Sequence, residues 1–233
     1  MKCAINCDLG EGLENDNLIM PLIDQCNIAC GGHAGDERTI QQTIELALKH
    51  TVQIGAHPSY PDRQNFGRVS LEMDDAQLRM HLVEQIKLVE KVATRNKTEM
   101  KHIKFHGALY NDSAKDEGLA SFLCQIMIEH WPSVALFVPP HSAFSKFSEE
   151  LTLIAEGFID RRYDDEMNLV SRKLPHAVIT EPDQAFEQYR TLDKEGMVHT
   201  ESGLMQELHV QTLCIHGDNP NALSILKRIH NDR

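Results

Sequence analysis

Short apolar segments alternate with longer amphipathic segments along the whole chain. The apolar segments have the length of buried strands, and polar clusters, often containing glycine, follow them. We predict seven strands, over residues 3–6, 27–30, 52–56, 102–105, 134–138, 153–159 and 211–215.

The segments between these strands predict helices. After Asp36, apolar residues recur at Ile40, Ile44 and Ala47, which is typical of one helix face packed on a core. Asp36 lies at the expected N-cap, and Asp74 is expected to cap a second, longer helix. Further helices are expected over 18–24, after Ser113, over 143–151, over 182–194 with Gly196 just beyond its end, and from 219, with a short hairpin within 198–210.

This alternation predicts an α/β protein with a parallel sheet, either closed into a barrel or open and doubly wound. Histidines follow or end strands two, three, four, five and seven. In a barrel the carboxyl ends of the strands meet on one face, where such enzymes place their chemistry. The histidines therefore favour a barrel, and residues 1–233 are expected to form a single domain.

Composition excludes several partners. The net charge is −12 and no basic run is present, which argues against nucleic acid and anionic membranes, since both need clustered lysine and arginine. No apolar stretch approaches the ~18 residues of a membrane span, and no signal peptide is recognised. The six cysteines form no CxxC pair and are expected to be reduced and buried, so we expect a cytoplasmic protein.

Candidate chemistry begins after the first two strands. Asp8 and Glu11 lie in a glycine-rich loop, where paired carboxylates can bind a divalent metal or transfer protons; the alternative is a loop cap and a solvated side chain. His33 follows two glycines, which permit a ligand to approach the backbone closely. Asp36 is interpreted as a helix cap rather than a catalyst.

Three further histidines, His57, His106 and His216, also lie just past strands beside small residues. Asp8 with two imidazoles would make a site for zinc or a similar ion, and Asp8, His33 and His106 are the candidate ligands. The alternative is that each histidine is a packed or surface residue. The remaining histidines, His102 among them, are expected on helix faces or loops.

Several cations and one further acid are also candidates. Arg63 and Arg68 lie in a loop bounded by proline and glycine and could hold a substrate carboxylate, or Arg63 could only order the loop with its neighbouring acid. Asp160 and Arg161 follow the sixth strand, and they too could either contribute to the site or only order their loop. Lys104, on the fourth strand, either reaches solvent or points into the site, where it could stabilise a developing negative charge.

The clusters together resemble the LamB/YcsF family, which contains the A component of 5-oxoprolinase. The resemblance runs in order from residue 4 to about residue 226. The sequence departs from the family where Phe105 replaces a usual proline, near Asn168 and His176, where glycines are usual, and around 139–141. The motifs that carry the resemblance are NCDLGEG (6–12), NIACGGHAGD (27–36), GAHPS (55–59), DR (62–63), NFGR (65–68), KFHGALYN (104–111), DR with Tyr163 (160–163) and CIHGD (214–218).

The resemblance implies a distorted seven-stranded (β/α) barrel similar to the glycoside hydrolase/deacetylase superfamily. It also implies ATP-dependent opening of 5-oxo-L-proline to L-glutamate, with partner subunits B and C handling ATP. The chain itself has neither GxxxxGK[ST] nor GxGxxG. The predicted catalytic residues are Asp8, His33, His57, Lys104, His106, Asp160 and His216, and the predicted substrate-binding residues are Glu11, Arg63, Arg68, Asn111 and Arg161.

Two other functions stay open at the level of sequence. A stand-alone metal-dependent hydrolase acting on an amide or an N-acetyl sugar would need neither ATP nor partners. A non-catalytic ligand-binding subunit would bind 5-oxoproline and tolerate the loss of Asp8.

Overall fold

The computed structural model describes residues 2–233 and contains a closed barrel of seven parallel strands. Strands β1 to β6 follow one another around the barrel, and β9 lies between β6 and β1 and closes it. The predicted barrel is thus confirmed and the open sheet is excluded. The strands are β1 (Ala4–Leu9), β2 (Gln25–Ala29), β3 (Gln53–His57), β4 (His102–Lys104), β5 (Ala135–Val138), β6 (Leu153–Phe158), β7 (Met197–His199), β8 (Met205–Glu207) and β9 (Thr212–His216).

Seven α-helices accompany the strands within residues 2–233. None of them combines the length and the apolarity needed to cross a membrane. Strands β7 and β8 pair antiparallel as the predicted hairpin. The helices are α1 (Asp16–Ile19), α2 (Glu37–His50), α3 (Asp75–Arg95), α4 (Gly107–Lys115), α5 (Glu117–His130), α6 (Pro182–Arg190) and α7 (Ala222–Asp232).

The helix ends show why these segments begin and end where they do. The Asp36 carboxylate accepts a hydrogen bond from the Thr39 backbone N–H, and the Thr39 hydroxyl accepts one from the Asp36 backbone N–H, which satisfies two donors at the start of α2. Asp74 caps α3. Gly196 has a φ of 65° beyond the π-helical turn that follows α6, as its predicted position requires.

The expected helix beginning at Ser113 is wrong. Ser113 lies inside α4 and donates from Oγ to the Leu109 carbonyl, while Asp116 caps a separate helix, α5. Helix α4 begins directly at Gly107, whose φ of 57° and close approach to the Gly67 carbonyl exclude a side chain. The apolar run beyond residue 115 therefore belongs to a second helix.

Two other predicted helices are shorter than expected. Residues 18–24 become the end of α1 and a 3₁₀ turn (Met20–Leu22), and residues 143–151 become a 3₁₀ turn (Ala143–Phe147).

The apolar core lies between the barrel and its helices, whereas the barrel interior is polar. The Asn6 Nδ2 atom of β1 donates to Glu156 of β6 at 2.9 Å, and the Asn27 Nδ2 atom of β2 donates to Asn6 at 2.8 Å. Strands β1 and β6 are not neighbours, so the first bond crosses the interior. His102 of β4 also lies inside, with Nε2 at 2.7 Å from Asn27 Oδ1, so its expected place on a helix face or loop is wrong.

Candidate functional site

A cavity of about 720 Å³ opens at the carboxyl ends of the barrel strands. Its inner end is formed by Asp8, Lys104 and Glu156 on three strands and by Glu11 and His106 in the loops that follow β1 and β4. A parallel barrel brings these ends together because every strand runs in the same direction. The outer wall includes Arg68, Asn111, His141, Arg161, Arg172 and Lys173.

Asp8 is the buried carboxylate at the inner end, and it lies within β1 rather than in the loop where the sequence placed it. Its Oδ1 atom accepts hydrogen bonds from Lys104 Nζ at 3.0 Å and Asn27 Nδ2 at 2.8 Å, and its Oδ2 atom lies 3.3 Å from His57 Nε2. Burial alone would raise the pKa of Asp8, but the charges of His57 and Lys104 outweigh burial and hold the pKa well below its ordinary value. Asp8 is therefore ionised at neutral pH.

Lys104 is the cation that balances this buried charge. Its Nζ atom lies 3.1 Å from Glu156 Oε1 and 3.0 Å from Cys214 Sγ, in addition to its bond to Asp8. Burial alone would lower the pKa of Lys104, but the facing carboxylates raise it well above its ordinary value. Of the two orientations that the sequence left open for Lys104, the structure shows the one that points into the site.

Three imidazoles meet beside Glu11, each held by the nitrogen that points away from it. His57 Nδ1 donates to the Lys104 carbonyl at 2.8 Å, and His106 Nε2 donates to the Phe66 carbonyl at 2.9 Å. His33 Nδ1 lies 3.0 Å from Ser59 Oγ. The inner nitrogens then face one another and Glu11: His106 Nδ1 is 2.9 Å from His57 Nε2, and His33 Nε2 is 3.1 Å from Glu11 Oε1.

Burial keeps two of these imidazoles neutral. It lowers the pKa of His33, against the opposing effect of Glu11, and lowers the pKa of His106 further, with the neighbouring His33 and His57 acting in the same direction. The rings of His33 and His106 are stacked at 3.7 Å with only 5° between their planes. Two parallel rings this close are favoured when both are uncharged.

The geometry groups the metal-ligating atoms differently from the candidate set of Asp8, His33 and His106. One atom from each of Glu11, His33, His57 and His106 lies within 4.8 Å of all the others. Asp8 instead falls in a second group with Cys214 and His216. Three imidazoles and a carboxylate are a donor set that suits zinc and similar divalent ions.

Asp160 and His216 form a pair at the rim of the barrel. His216 Nδ1 lies 2.8 Å from Asp160 Oδ1, and Asp160 Oδ2 accepts from the His216 backbone N–H and from Asn219 Nδ2. Burial opposes ionisation of Asp160, but His216 and Asn219 outweigh it and lower its pKa. Asp160 holds His216 in place, while His216 itself lines the cavity.

The arginines divide between the cavity and the loops. Arg68 lines the cavity, lies 2.5 Å from Asp218 Oδ2 and places its guanidinium 4.9 Å from the centre of the Phe66 ring. Arg161 also lines it; its side chain donates to the Val170 carbonyl, and burial lowers its pKa to about 10. Asn111 lines the same wall and bonds back to the Gly107 carbonyl.

Arg63 is not brought to the cavity. Its guanidinium donates to the carbonyls of Gly31 and Gly35, so it fixes the loop between β2 and α2. This is the loop-ordering role that the sequence left open, with backbone carbonyls in place of the neighbouring Asp62.

Sequence reasoning missed four residues of the site: Asn27, Glu156, Tyr110 and Arg172. The sequence pattern could have identified two of them, Asn27 and Glu156. Asn27 and Glu156 are polar residues at buried positions within otherwise apolar strands, which indicates a polar partner inside the barrel. Tyr110 and Arg172 lie outside the strands and carry no such signal.

The comparisons with known proteins agree over the whole chain. The model of the LamB/YcsF family matches residues 3–232. The A component of 5-oxoprolinase from Staphylococcus aureus (strain bovine RF122 / ET3-1) is 37% identical over 98% of this chain and 94% of its own length.

Two solved structures share the fold. A lactam utilization protein from Thermus thermophilus superposes with a TM-score of 0.91 at 29% identity, covering 99% of this chain and 95% of that one. A chain from Enterococcus faecalis V583 superposes with a TM-score of 0.58 at 10% identity, covering 97% and 89%, a likeness that shows the fold alone.

Proposed function

The chain belongs to the LamB/YcsF family, and from this premise we propose that it carries the lactam-opening site of an ATP-dependent 5-oxoprolinase. One observation carries the proposal. Asp8, ionised and held by Lys104, lies at the closed inner end of a cavity at the carboxyl face of the barrel. The names of the relatives supply the substrate class, a cyclic amide.

The proposed reaction overcomes the stability of an unstrained amide. Transfer of the terminal phosphoryl group of ATP to the amide oxygen makes the ring carbonyl carbon a stronger electrophile. The oxygen of one water then bonds to that carbon, the carbon–nitrogen bond breaks and the nitrogen takes up a proton, which leaves γ-glutamyl phosphate. A second water displaces inorganic phosphate and leaves L-glutamate, while ADP remains from the first transfer.

In this scheme Asp8 orients the attacking water and accepts its proton through Oδ2. Its other oxygen is already held by Lys104 and Asn27, so the carboxylate cannot rotate freely. Lys104 keeps Asp8 ionised and faces the place where negative charge develops. General-base catalysis of this kind contributes typically about 10²–10⁴-fold to a rate.

We assign the ring carboxylate to the outer wall of the cavity. Arg68 offers a partly exposed guanidinium there, and Arg161 and Asn111 lie on the same wall. A guanidinium suits a carboxylate because its two parallel N–H groups match the two oxygens. Asp218, which now pairs with Arg68, would be the group that the substrate displaces.

ATP is assigned to partner subunits B and C, since the sequence has no phosphate-binding loop. The test is glutamate release from 5-oxoproline and ATP by this chain with B and C, compared with reactions that omit each component. Glutamate should form only in the complete mixture. Full release without this chain would overturn the proposal.

The imidazole cluster favours one second candidate, a stand-alone metal-dependent amide hydrolase. That enzyme would hydrolyse its amide without ATP and without subunits B and C. The same omission series therefore separates the two functions.

A further inference from the structure

When the imidazoles of His33, His57 and His106 are neutral, their inner nitrogens are lone-pair acceptors because of their outer hydrogen bonds. Backbone carbonyls can only accept, so His57 Nδ1 and His106 Nε2 must carry the protons. Ser59 Oγ donates its single hydrogen to the Tyr60 carbonyl at 2.8 Å. It must therefore act as the acceptor toward His33 Nδ1. In their neutral forms, all three rings thus present bare nitrogen to the centre of the cluster.

Two contacts inside the cluster then join acceptor to acceptor. His106 Nδ1 faces His57 Nε2 at 2.9 Å, and His33 Nε2 faces the Glu11 carboxylate at 3.1 Å. Neither contact is favourable unless positive charge, from a proton or from a metal ion, lies between the partners. The side chains are nearly closed to water, with 0% exposure for His33, 1% for His57, 7% for His106 and 4% for Glu11.

The permanently charged cation near the cluster, Lys104, already forms ion pairs with two other carboxylates. Lys104 lies at 3.0 Å from Asp8 and 3.1 Å from Glu156, and the ionic contacts of Glu11 within residues 2–233 are with imidazoles alone. A buried carboxylate needs a compensating charge. A divalent cation would compensate Glu11 and accept the three lone pairs together.

We propose that Glu11, His33, His57 and His106 bind one divalent transition-metal ion of the zinc type. Bonds of about 2.0–2.1 Å in a tetrahedral arrangement place ligand atoms about 3.3 Å apart. Three of the six distances within the cluster, 2.9, 3.1 and 3.6 Å, bracket that value, and the remaining pairs lie within 4.8 Å. The outer hydrogen bonds to the Phe66 and Lys104 carbonyls and to Ser59 are the supports that metal-binding histidines need.

Binding changes one feature of the cluster. The rings of His33 and His106 are stacked with 5° between their planes, and they would have to turn out of parallel for both inner nitrogens to reach one ion. When bound, such an ion would supply Lewis acidity beside Asp8, whose Oδ2 atom is 3.3 Å from His57 Nε2. This use in lactam opening rests on the proposed function, whereas the binding itself does not.

The test is titration of the metal-stripped full chain with Zn²⁺ by calorimetry, and with Co²⁺ by its visible absorption. We expect about one ion per chain and the bands of four- or five-coordinate Co²⁺. Ser59→Ala, which removes the hydroxyl that supports His33 and bonds to the Tyr60 carbonyl but leaves every ligand in place, should weaken Zn²⁺ binding about 10–100-fold. Glu11→Gln, which keeps the side-chain volume and removes the charge, should weaken it further.

His209→Ala is the matched control, since His209 is an exposed histidine outside the cluster and its loss should leave Zn²⁺ affinity unchanged. Circular dichroism establishes that each variant is folded. A folded wild-type chain that binds neither ion stoichiometrically, or a folded Glu11→Gln variant that binds as tightly as the wild type, would overturn the site.

The two proposals fail separately. Glutamate release by a chain that binds no Zn²⁺ would remove the metal site and leave the lactam assignment standing. Stoichiometric Zn²⁺ binding without glutamate release would support the metal site and remove the lactam assignment.

Discussion

Lys104 is the residue on which the buried charges of the barrel depend. It is 2% exposed and contacts the carboxylates of both Asp8 and Glu156. Ion pairs of this kind add little net stability, but removal of one partner leaves uncompensated charge in a low-dielectric interior. The lysine is therefore needed for the fold as well as for the state of Asp8.

Replacement of Lys104 by methionine should lower the free energy of unfolding by about 3–5 kcal/mol, because two buried carboxylates lose their cation. Urea denaturation measures the change. Lys101→Met is the matched control, since Lys101 is an exposed lysine paired with the exposed Glu99, and it should have little effect. Equal stability of the two variants would contradict the charge assignment.

His102 gives the protein a specific dependence on pH. Burial lowers its pKa from 6.5 to about 3, so between these values the unfolded chain binds a proton that the folded chain does not. Acidification therefore favours the unfolded state at this site, by about 1.4 kcal/mol per pH unit once pH is below about 6.5.

The free energy of unfolding should accordingly fall between about pH 7 and about pH 5. Urea denaturation at several pH values measures the slope. His102→Gln keeps a donor toward Asn27 and cannot titrate, so its slope should be smaller by close to one proton. An unchanged slope would show that His102 is protonated in the folded protein.

The loop between β2 and α2 is the element that sets the orientation of His33. It approaches α3 and the segment after β3 so closely that a Cβ atom on Gly32 would lie 2.4 Å from both Ser59 Oγ and Gln85 Oε1. Ser59 in turn holds His33 Nδ1. Glycine is needed at position 32 because of this packing.

Gly32→Ala should lower the free energy of unfolding by about 1–3 kcal/mol, because the added methyl group displaces Ser59 and Gln85. In a Ser59→Ala background the cost of the same substitution should shrink, since one of the two obstructing atoms is gone. The four proteins of this double-mutant cycle are compared by urea denaturation. Purely additive costs would contradict the proposed contact.

Strand ends could be predicted from the sequence, whereas partners across the barrel could not. Apolar segments followed by Asp8, His33, His57, His106 and His216 placed these side chains on one face, and the structure brings them there. Their partners depend on strand register. Asn6 meets Glu156 across 150 positions of sequence, and no local pattern encodes which inward residues face each other.

Loop side chains were the least predictable. Arg63 and Arg68 are both arginines and lie five positions apart in one loop. Arg63 nevertheless donates to backbone carbonyls of a neighbouring loop, whereas Arg68 lines the cavity. The conformation of a loop depends on tertiary contacts that propensity does not contain. Phe66 has a φ of 55° in this loop. This left-handed conformation is rare for a bulky residue, and the sequence does not predict it.

Over the whole molecule, charged side chains of both signs line the cavity. Carboxylates, imidazoles and Lys104 form its inner end, whereas Arg68, Arg172 and Lys173 line its outer wall, where Asp218 pairs with both arginines. Under the proposed function, the substrate's carboxylate would lie toward the outer wall and its amide toward Asp8. The net charge of −12 is therefore no obstacle to an anionic substrate, because the outer wall is locally cationic.

The most direct test of this account is the rate of glutamate release from 5-oxoproline and ATP by the reconstituted subunits when Asp8→Asn replaces the wild-type chain. Asparagine keeps the size of the side chain and removes the proton acceptor, so the rate should fall about 10²–10⁴-fold while circular dichroism stays unchanged. Asp36→Asn, which alters a helix cap outside the cavity, should release glutamate at the wild-type rate. An Asp8→Asn chain that also releases glutamate at the wild-type rate would contradict the assignment of ring opening to this site.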